Sequence, residues 1–537
     1  MKDTTTPTGL WQSLFASLSL VALAAGPARA QSTTAELPVA VQPEPAAAAT
    51  ATAPPSNSLP PPPPPIKRIR TSSVDAIPVT DIPASAMPTE PTWFTRTPLR
   101  LVFGTNEQSW ALTFMGVIQA DYITDSTRSY NESIGQGIVA RSDTYEGTVG
   151  RTQFSMRNTR VGMMLESPVV GGVTPSAVFQ GDFAGNQPGV PYIPPGQGDG
   201  NTISENLYYN SSTFKLRHAY IALRSRFVDV LAGQTFDVFG WQNYYVACSI
   251  LGLPNQVGSK NPQLRVSHSF GKDSAVSLDV AASSVRPVQR DSQVPDFEGG
   301  LRVRFNGWKG ITTPGVAWTT VAPLSIGVSG VVRQFKVNAF TPPPAQTSNS
   351  AMGWGASFDA FIPVIPAAHS DDRGNRLSLL GSFVVGTGIA DLISAGGGAR
   401  FPTLPNPAQA SPPPEYTANI DNGIVSFDTL GVLHTIDWWA AKGSLQYYFP
   451  GSGRLFMAAN FTYAHSRNIS KLFPRGGSEI ELLGTVADKS LSGDGSLMWD
   501  ATPAIRVGVS GQYTQVRYLD GLEPHNIRGL GVVLYVF

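Results

Sequence analysis

Residues 526–537, Asn-Ile-Arg-Gly-Leu-Gly-Val-Val-Leu-Tyr-Val-Phe, decide the fold, and they are the last residues of the sequence. The stretch is rich in β-branched and aromatic side chains, which favour a strand over a helix. A soluble protein with such a strand at a free edge would tend to aggregate. A closed barrel removes that hazard, because neighbouring strands pair the backbone and lipid covers the outer face. The stretch therefore favours the closing strand of a transmembrane β-barrel; the alternative is a buried strand in a soluble sheet.

The composition agrees with a barrel and argues against several other classes. Only 14% of the 537 residues are charged. After the N-terminus there is no run of about 18 apolar residues, which excludes a helical membrane protein. The formal net charge is zero, so no nucleic-acid partner is indicated. Six His, the single cysteine Cys248 and the lack of a spaced ligand cluster predict no metal and no other cofactor. We find no Ser/His or paired-carboxylate arrangement that would indicate an enzyme.

The N-terminal part of the sequence predicts two segments ahead of the barrel. Residues 1–30 combine a basic start, an apolar core and a small-residue pattern, which predicts a secretory signal peptide cleaved after Ala30. Residues 31–95 are rich in Pro, Ala, Thr and Ser, which predicts a disordered periplasmic linker. The barrel domain is then predicted to cover residues 96–537.

Alternating polar and apolar side chains predict strands along the rest of the chain. In residues 298–306, Arg302 and Arg304 share one face, and Leu301 and Phe305 share the other. A small or polar face opposite an apolar face is typical of a membrane barrel. The predicted fold is therefore all-β, a transmembrane antiparallel β-barrel of about 16 strands that follows the disordered Pro-rich segment. The strands are predicted near 110–123, 152–166, 173–183, 214–225, 228–237, 263–270, 274–284, 298–306, 324–336, 353–364, 376–387, 436–449, 454–465, 489–500, 504–518 and 526–537.

The segments between the predicted strands are of two kinds. Short turns, such as Gly271-Lys272-Asp273, alternate with long polar loops, such as 184–213 and 388–428. One rim of short turns and one rim of long loops is typical of outer-membrane barrels, and sixteen strands leave a water-filled lumen. The segment 238–262 differs, because it is apolar and aromatic and Lys260 is its only charge. We expect it either to fold into the lumen and narrow it without adding acids, or to pack at a subunit interface.

Several short motifs follow one another in the first third of the predicted barrel. They are Thr159-Arg160-Val161-Gly162, Gly181-Asp182-Phe183, Leu216-Arg217-His218-Ala219-Tyr220 and Leu231-Ala232-Gly233-Gln234-Thr235-Phe236, followed by Phe239 and Gln263-Leu264-Arg265. In this order they resemble the DcaP-like family of trimeric outer-membrane porins and, more weakly, the phosphate-selective porin O/P group. The resemblance implies a sixteen-stranded barrel, a homotrimer, and passage of small, often anionic solutes past an arginine-lined constriction. Where known members carry a helical segment before the barrel, this chain has its Pro-rich tract.

The end of the chain carries a second resemblance. Phe537, with Tyr535 two residues before it, resembles the C-terminal assembly signal of bacterial outer-membrane barrels. The resemblance implies that Tyr535 and Phe537 are presented to the barrel assembly machinery.

With no catalytic motif, we expect function to lie in the lining of the pore. The predicted inward faces carry basic residues: Arg160, Arg265, Arg302, Arg304, Arg333, Arg376, Lys442 and Arg506. They also carry acidic residues: Asp121, Asp182, Asp279, Asp359, Glu166 and Glu298. A ring of guanidinium groups attracts anions, whereas arginines that pair with these acids would instead stiffen the wall. The faces of 214–225 and 228–237 are ambiguous, so the sequence predicts no orientation for Arg217 or His218.

We therefore predict a porin in the bacterial outer membrane, surrounded by lipid and lipopolysaccharide. It forms a water-filled channel for passive diffusion of small hydrophilic solutes, with a preference for anionic ones. The alternatives are a solute-specific channel with a binding site, or an outer-membrane adhesin or enzyme that uses the long loops. A TonB-type transporter would need a folded plug domain, and residues 31–95 are too rich in proline to form one.

Overall fold

The computed structural model describes residues 99–104, 109–132, 135, 137–185, 213–240, 250–272, 274–288, 292–313, 319–336, 350–367, 369, 372–393, 423–427, 432–472 and 486–537. The predicted signal peptide and linker, residues 1–30 and 31–95, lie outside these ranges. Within the described ranges, no helix has both the length and the apolar composition needed to cross a membrane.

Most of the described residues lie in strands. They are β1 Arg100–Phe103, β2 Trp110–Asp125, β3 Arg151–Ser155, β4 Arg160–Glu166, β5 Thr174–Asp182, β6 Lys215–Arg224, β7 Asp229–Phe236, β8 Lys260–Phe270, β9 Val276–Val285, β10 Asp296–Thr312, β11 Thr320–Lys336, β12 Ser350–Ile365, β13 Arg376–Thr387, β14 Val425–Phe427, β15 Leu433–Thr435, β16 Asp437–Tyr448, β17 Leu455–Ser466, β18 Ala487–Asp500, β19 Ile505–Tyr518 and β20 His525–Val536. The short helices are α1 Tyr145–Thr148, α2 Ile469–Leu472 and a 3-10 turn at Ala390–Leu392.

The strands form a closed antiparallel barrel with sixteen positions in its wall. Each strand from β4 to β13 pairs with the next, β13 pairs with β16, and the succession continues to β20. β3 and β4 share one position, because both pair with β2 on the same side. The predicted sixteen-stranded barrel is therefore confirmed. Two details differ: the predicted strand 152–166 is interrupted between Ser155 and Arg160, and β1 and the hairpin β14–β15 were not predicted.

The first and last wall strands close the barrel. β2 pairs with β20 from Val117↔Val536 to Asp125↔Arg528. Below this ladder, the backbone N–H of Gly116 donates to the carbonyl of Phe537 at 2.9 Å, and the Phe537 N–H donates back at 3.1 Å. β1 pairs with residues 110–113 at the start of β2. The terminal stretch 526–537 is therefore the closing strand that its sequence predicts.

Side chains alternate between two environments along the wall strands, as predicted. On β8, Leu264 is 55% exposed and Arg265 is 1% exposed. On β10, Leu301 is 47% exposed and Arg302 is 0% exposed. The exposed apolar face is the outer surface, which suits a barrel surrounded by lipid. The polar face points into the barrel.

The inner face also carries apolar side chains, which the sequence pattern did not indicate. Leu530, Val532 and Leu534 of β20 point inward, and they pack in one cluster with Ile250 of the loop between β7 and β8. A second cluster joins the inner faces of β11, β13 and β16 to the loop between β13 and β16. Apolar side chains therefore line the interior in these sectors, where inward-folded segments cover the wall.

Candidate functional site: the barrel interior

The loop between β7 and β8, residues 237–259, is anchored to the inner wall at its start. Glu298 on β10 accepts the backbone N–H of Val238 at 2.8 Å and that of Phe239 at 3.2 Å. Ser329 on β11 accepts the N–H of Gly240 at 2.8 Å. Gly240 has a φ of 93°, a conformation that favours glycine, so the chain can turn here into the barrel.

The end of the same loop contacts the opposite wall. The side-chain amide of Gln512, on β19, donates to the carbonyl of Gly252 at 3.0 Å. Asn255 donates to the Ser490 hydroxyl of β18, also at 3.0 Å. Leu251 is 1% exposed. In the wall order, β18 and β19 are far from β7 and β8 on both routes around the barrel, so the loop crosses the interior.

The described part of residues 238–262 folds into the barrel, which is the first of the two arrangements expected for this segment. Residues 238–262 themselves add no acid, but the wall supplies the Glu298 carboxylate, and Asp237 lies directly before the segment. Residues 260–262 belong to β8 rather than to the loop. The aromatic residues Trp241, Tyr244 and Tyr245 lie outside the described residues.

A second inward segment, residues 388–393, rests on the first. The backbone N–H of Gly258 donates to the carbonyl of Leu392 at 3.3 Å, and Val257 forms a β-bridge with Ile393. Arg333 on β11 fixes this segment by donating to both carboxylate oxygens of Asp391, at 2.6 and 2.8 Å. The same guanidinium also pairs with Asp296 at 2.8 Å. Arg333, predicted to line the pore, thus connects the wall to a loop.

Two predicted pore-lining arginines share one aspartate. Arg302 Nη2 donates to Asp279 Oδ2 at 2.9 Å, and Arg304 Nη2 donates to Asp279 Oδ1 at 2.9 Å. Asp279 also accepts a 2.6 Å hydrogen bond from Ser269. Arg302 and Asp279 are direct cross-strand partners of β10 and β9, so the strand register creates the pair. The cluster has two positive charges and one negative charge, all on buried residues.

A similar two-to-one arrangement surrounds Asp182. Arg217 on β6 donates to its carboxylate, and Arg160 is its cross-strand partner on β4. The register of β5 and β6 shifts at this point. His218 pairs with Gln180, whereas the next residue of β5, Gly181, pairs with Leu216. Arg217 is thus the extra residue of a β-bulge. A bulge breaks the alternation of faces, so Arg217 and His218 both contact inward groups, which explains why their faces were ambiguous in the sequence.

The third two-to-one cluster lies at the short-turn end of the barrel. Arg506 Nε donates to Asp500 Oδ1 at 2.7 Å, and Arg373 Nη1 donates to Asp500 Oδ2 at 2.8 Å. The predicted residue Arg376 lies nearby at the rim, where it donates to Asp372 of the preceding turn. That hydrogen bond lowers the pKa of Asp372 below its ordinary value.

The remaining predicted residues are also placed on the inner face. Asp359 and Lys442 lie in one row across β12, β13 and β16, with Ser382 between them. Arg265 donates to the side-chain oxygen of Gln263 at 2.6 Å and to the carbonyl of Phe236. Among the described residues, no carboxylate lies within ion-pair distance of Arg265.

Sequence reasoning missed two further buried ion pairs. Arg528 on β20 donates to Asp125 on β2 at 2.7 and 2.8 Å, across the closing seam. Arg157, between β3 and β4, donates to Glu132 at 2.7 Å. The position of Arg528 on the inward face of the terminal strand was a signal in the sequence for the first pair. The second pair depends on how two irregular segments meet, for which the sequence carries no signal.

The comparisons with known proteins identify the fold. No protein-family model and no curated protein matches the chain. Among solved structures, the outer-membrane channel DcaP of Acinetobacter baumannii is similar, with a TM-score of 0.54 and 14% identity over 81% of this chain and 99% of that chain. OprB of Pseudomonas putida has a TM-score of 0.43 and 12% identity, over 79% and 94% of the two chains. The anion-selective porin from Comamonas acidovorans has a TM-score of 0.40 and 8% identity, over 80% and 100%. The chain thus shares its barrel fold with the DcaP channel, in agreement with the motifs between Thr159 and Arg265.

Proposed function

We propose that this protein is an outer-membrane porin through which small hydrophilic solutes diffuse passively. The closed barrel, its apolar outer face and its charged inner face support a channel through a lipid bilayer. The loop that crosses the interior supports a narrowed passage, because it divides the space inside the wall. The fold shared with the DcaP channel agrees with this proposal and with a location in the outer membrane. A homotrimer, contact with lipopolysaccharide and recognition of Tyr535 and Phe537 by the assembly machinery belong to the same proposal.

We further propose that the channel prefers anions. The observation that carries this is the pairing of Arg302 and Arg304 with the single carboxylate of Asp279. In this cluster two guanidinium groups bond to one carboxylate on the inner wall. Asp182 and Asp500 each face two arginines as well, whereas Arg333 faces two acids. Fixed positive charge in a confined passage attracts anions and repels cations.

The test is the zero-current potential of the purified protein in a planar bilayer with a KCl gradient. A preference for anions predicts a potential with the sign of chloride permeation. Replacing Asp279→Asn should increase that preference, because it removes the one negative charge of the cluster. Cation selectivity of the wild-type protein would contradict the proposed preference, and the absence of any channel activity from folded protein would contradict the porin.

A solute-specific channel is the second candidate, and the enclosure of the inner side chains favours it. Arg302 and Asp359 are both 0% exposed. Other protein groups cover these side chains, so the interior is filled more closely than in a wide, water-filled pore, which favours selection among solutes. Saturation of the current by one small organic anion, measured against chloride, would distinguish this candidate from general diffusion.

A further inference from the structure

We infer that the end of the β10–β11 hairpin forms a second constriction at the short-turn mouth of the barrel. This hairpin end comprises residues 306–313 and 319–323 and is called the spur. The inference rests on the proposed channel, and it makes the spur a determinant of which solutes pass. It is distinct from the β7–β8 loop, which enters the interior from the opposite, long-loop rim.

The spur extends beyond the wall. Pairing of β10 with β9 ends at Phe305↔Val276, and pairing of β11 with β12 ends at Ser325↔Phe361. Beyond these positions, β10 and β11 pair with each other alone among the described strands, from Lys309↔Pro323 to Thr312↔Thr320. The register shifts between Phe305 and Lys309. A β-bulge at this position bends the hairpin and can redirect its end.

The spur bends over the inside of the barrel. The backbone N–H of Ala367 donates to the carbonyl of Lys309 at 2.8 Å. The hydroxyl of Ser378, on β13, donates to the carbonyl of Ile311 at 2.6 Å. Ser378 is 0% exposed and lies on the inner face near the start of β13. The backbone of the spur therefore lies across the inner wall at the short-turn end.

The spur reaches strands far from its own position in the wall. Gln446 on β16 accepts the backbone N–H of Thr313 at 2.9 Å, and the hydroxyls of Thr313 and Tyr448 lie 2.6 Å apart. Arg506 on β19 donates to the hydroxyl of Thr319 at 3.3 Å. In the wall order, β16 follows β10 by four positions and β19 by seven. The spur thus spans the mouth rather than lining one side of it.

Apolar packing also holds the spur inside. Ile311 is 0% exposed and belongs to the cluster that contains Phe456, Met498 and Leu534. These three side chains come from β17, β18 and β20, on the wall sector that faces the spur. Releasing the spur from the mouth would expose this apolar surface to water, which is unfavourable.

The chemistry around the spur indicates the class of solute that this constriction admits. Its two described flanks carry Thr313 and Thr319, whose hydroxyls lie 2.9 Å apart. Arg506, which donates to the Thr319 hydroxyl, also shares Asp500 with Arg373. Two guanidinium groups around one carboxylate at this mouth suit a small anion, such as a carboxylate, better than a cation.

The test removes the spur without changing the wall. Replacing residues 306–323 with Asn-Gly joins Phe305 to Leu324, which are cross-strand partners, by a favoured two-residue turn. Single-channel conductance in KCl should rise about twofold or more, because one of two constrictions in series is lost. A matched control replaces the exposed turn residues Arg226 and Phe227 between β6 and β7 with Asn-Gly, and should conduct like the wild type.

Each outcome decides a different point. Unchanged conductance of the spurless protein overturns the inference and leaves the proposed channel intact. If neither the wild type nor the spurless protein conducts, the proposed function itself fails. If the spurless protein does not fold, Ile311→Ser provides the second variant, with Ile311→Val as its control. Serine weakens the apolar packing of the spur, so conductance should rise and fluctuate more; traces like those of the wild type would overturn the inference.

Discussion

Glu298 accepts the backbone N–H groups of Val238 and Phe239 through one carboxylate oxygen, at 2.8 and 3.2 Å. This contact fixes the point at which the β7–β8 loop leaves the wall and enters the interior. A carboxylate that accepts two backbone hydrogen bonds is a strong anchor, since hydrogen bonds to charged groups contribute about 1.5–3 kcal/mol each.

Replacing Glu298→Ala should therefore release the start of the loop. We expect single-channel recordings with larger current fluctuations and faster proteolytic cleavage within 237–259. Ser329→Ala removes a single hydrogen bond to Gly240 and serves as the graded control, with a smaller effect. Recordings of Glu298→Ala that match the wild type in noise and cleavage rate would show that other contacts suffice.

Selectivity should depend on the arginines of β8 and β10. Changing Arg265, Arg302 and Arg304 together to Gln removes three positive charges and leaves Asp279 uncompensated. The zero-current potential in a KCl gradient should move toward the value expected for cation permeation, while the total conductance changes less. The shift should weaken in 1 M salt, where the Debye length is about 3 Å.

The variant Asp279→Asn should have the opposite effect to the triple variant, because it should move the zero-current potential toward the value expected for anion permeation. If the triple variant leaves the potential where it was, these arginines only hold the wall together, and the proposed anion preference loses its support.

The terminal residue should be required for barrel closure. Phe537 exchanges two backbone hydrogen bonds with Gly116, and its ring lies over that glycine, where a Cβ atom would come within 2.7 Å of the ring. Deleting Phe537, or replacing it with Asp, should sharply lower the amount of folded barrel in the outer membrane. Heat-modifiable migration on gels measures the folded form, and Phe537→Tyr is the conservative control. Normal levels of folded protein after deletion would contradict a closing role.

The seam also depends on the buried pair of Arg528 and Asp125. Their side chains are 2% and 0% exposed, so removing one partner leaves a charge without compensation. Arg528→Ala should lower the free energy of unfolding by about 3–5 kcal/mol. The double variant with Asp125→Asn should recover part of this loss. Urea unfolding followed by tryptophan fluorescence provides the measurement, and equal stability of all three proteins would contradict the argument.

Removing residues 33–95 should leave conductance unchanged. The first wall-associated strand begins at Arg100, so the barrel retains all of its described pairings in the truncated protein. Single-channel conductance in KCl compares the truncated and full-length forms. A large change would mean that the Pro-rich tract enters or obstructs the pore.

The wall strands could be predicted because polar and apolar residues alternate along them in the sequence. Residues 376–387 were predicted as a strand and form one with the same bounds. The predicted strands 298–306 and 324–336 stop within one residue of Phe305 and Ser325, where pairing with the neighbouring wall strands ends. The spur beyond them was not predicted, because its conformation depends on contacts with distant strands.

For the residues of the candidate site, the sequence predicted only which face of a strand each residue lies on. Parity along a strand places Arg302 and Asp279 on the inner face, but their pairing depends on register, which a single sequence does not fix. Arg217 and His218 could not be assigned even to a face, because a bulge breaks the parity there. The interior course of the β7–β8 loop was one of two expectations, since an apolar loop can be covered by the protein's own wall or by another subunit.

The short strand β1 has a consequence for the order of assembly. Each wall strand from β4 onward pairs with the next wall strand in the chain, so those ladders can form as the chain advances. The ladder between β2 and β20 is different, since it joins Val117 to Val536 and must await the last residues. Until then, the edge of β2 that will receive β20 is a template for any other strand. β1 already occupies residues 110–113 of that edge through a local hairpin. It thus shortens the length of open edge that the unfinished barrel presents and leaves a gap that only a strand ending at Phe537 fills.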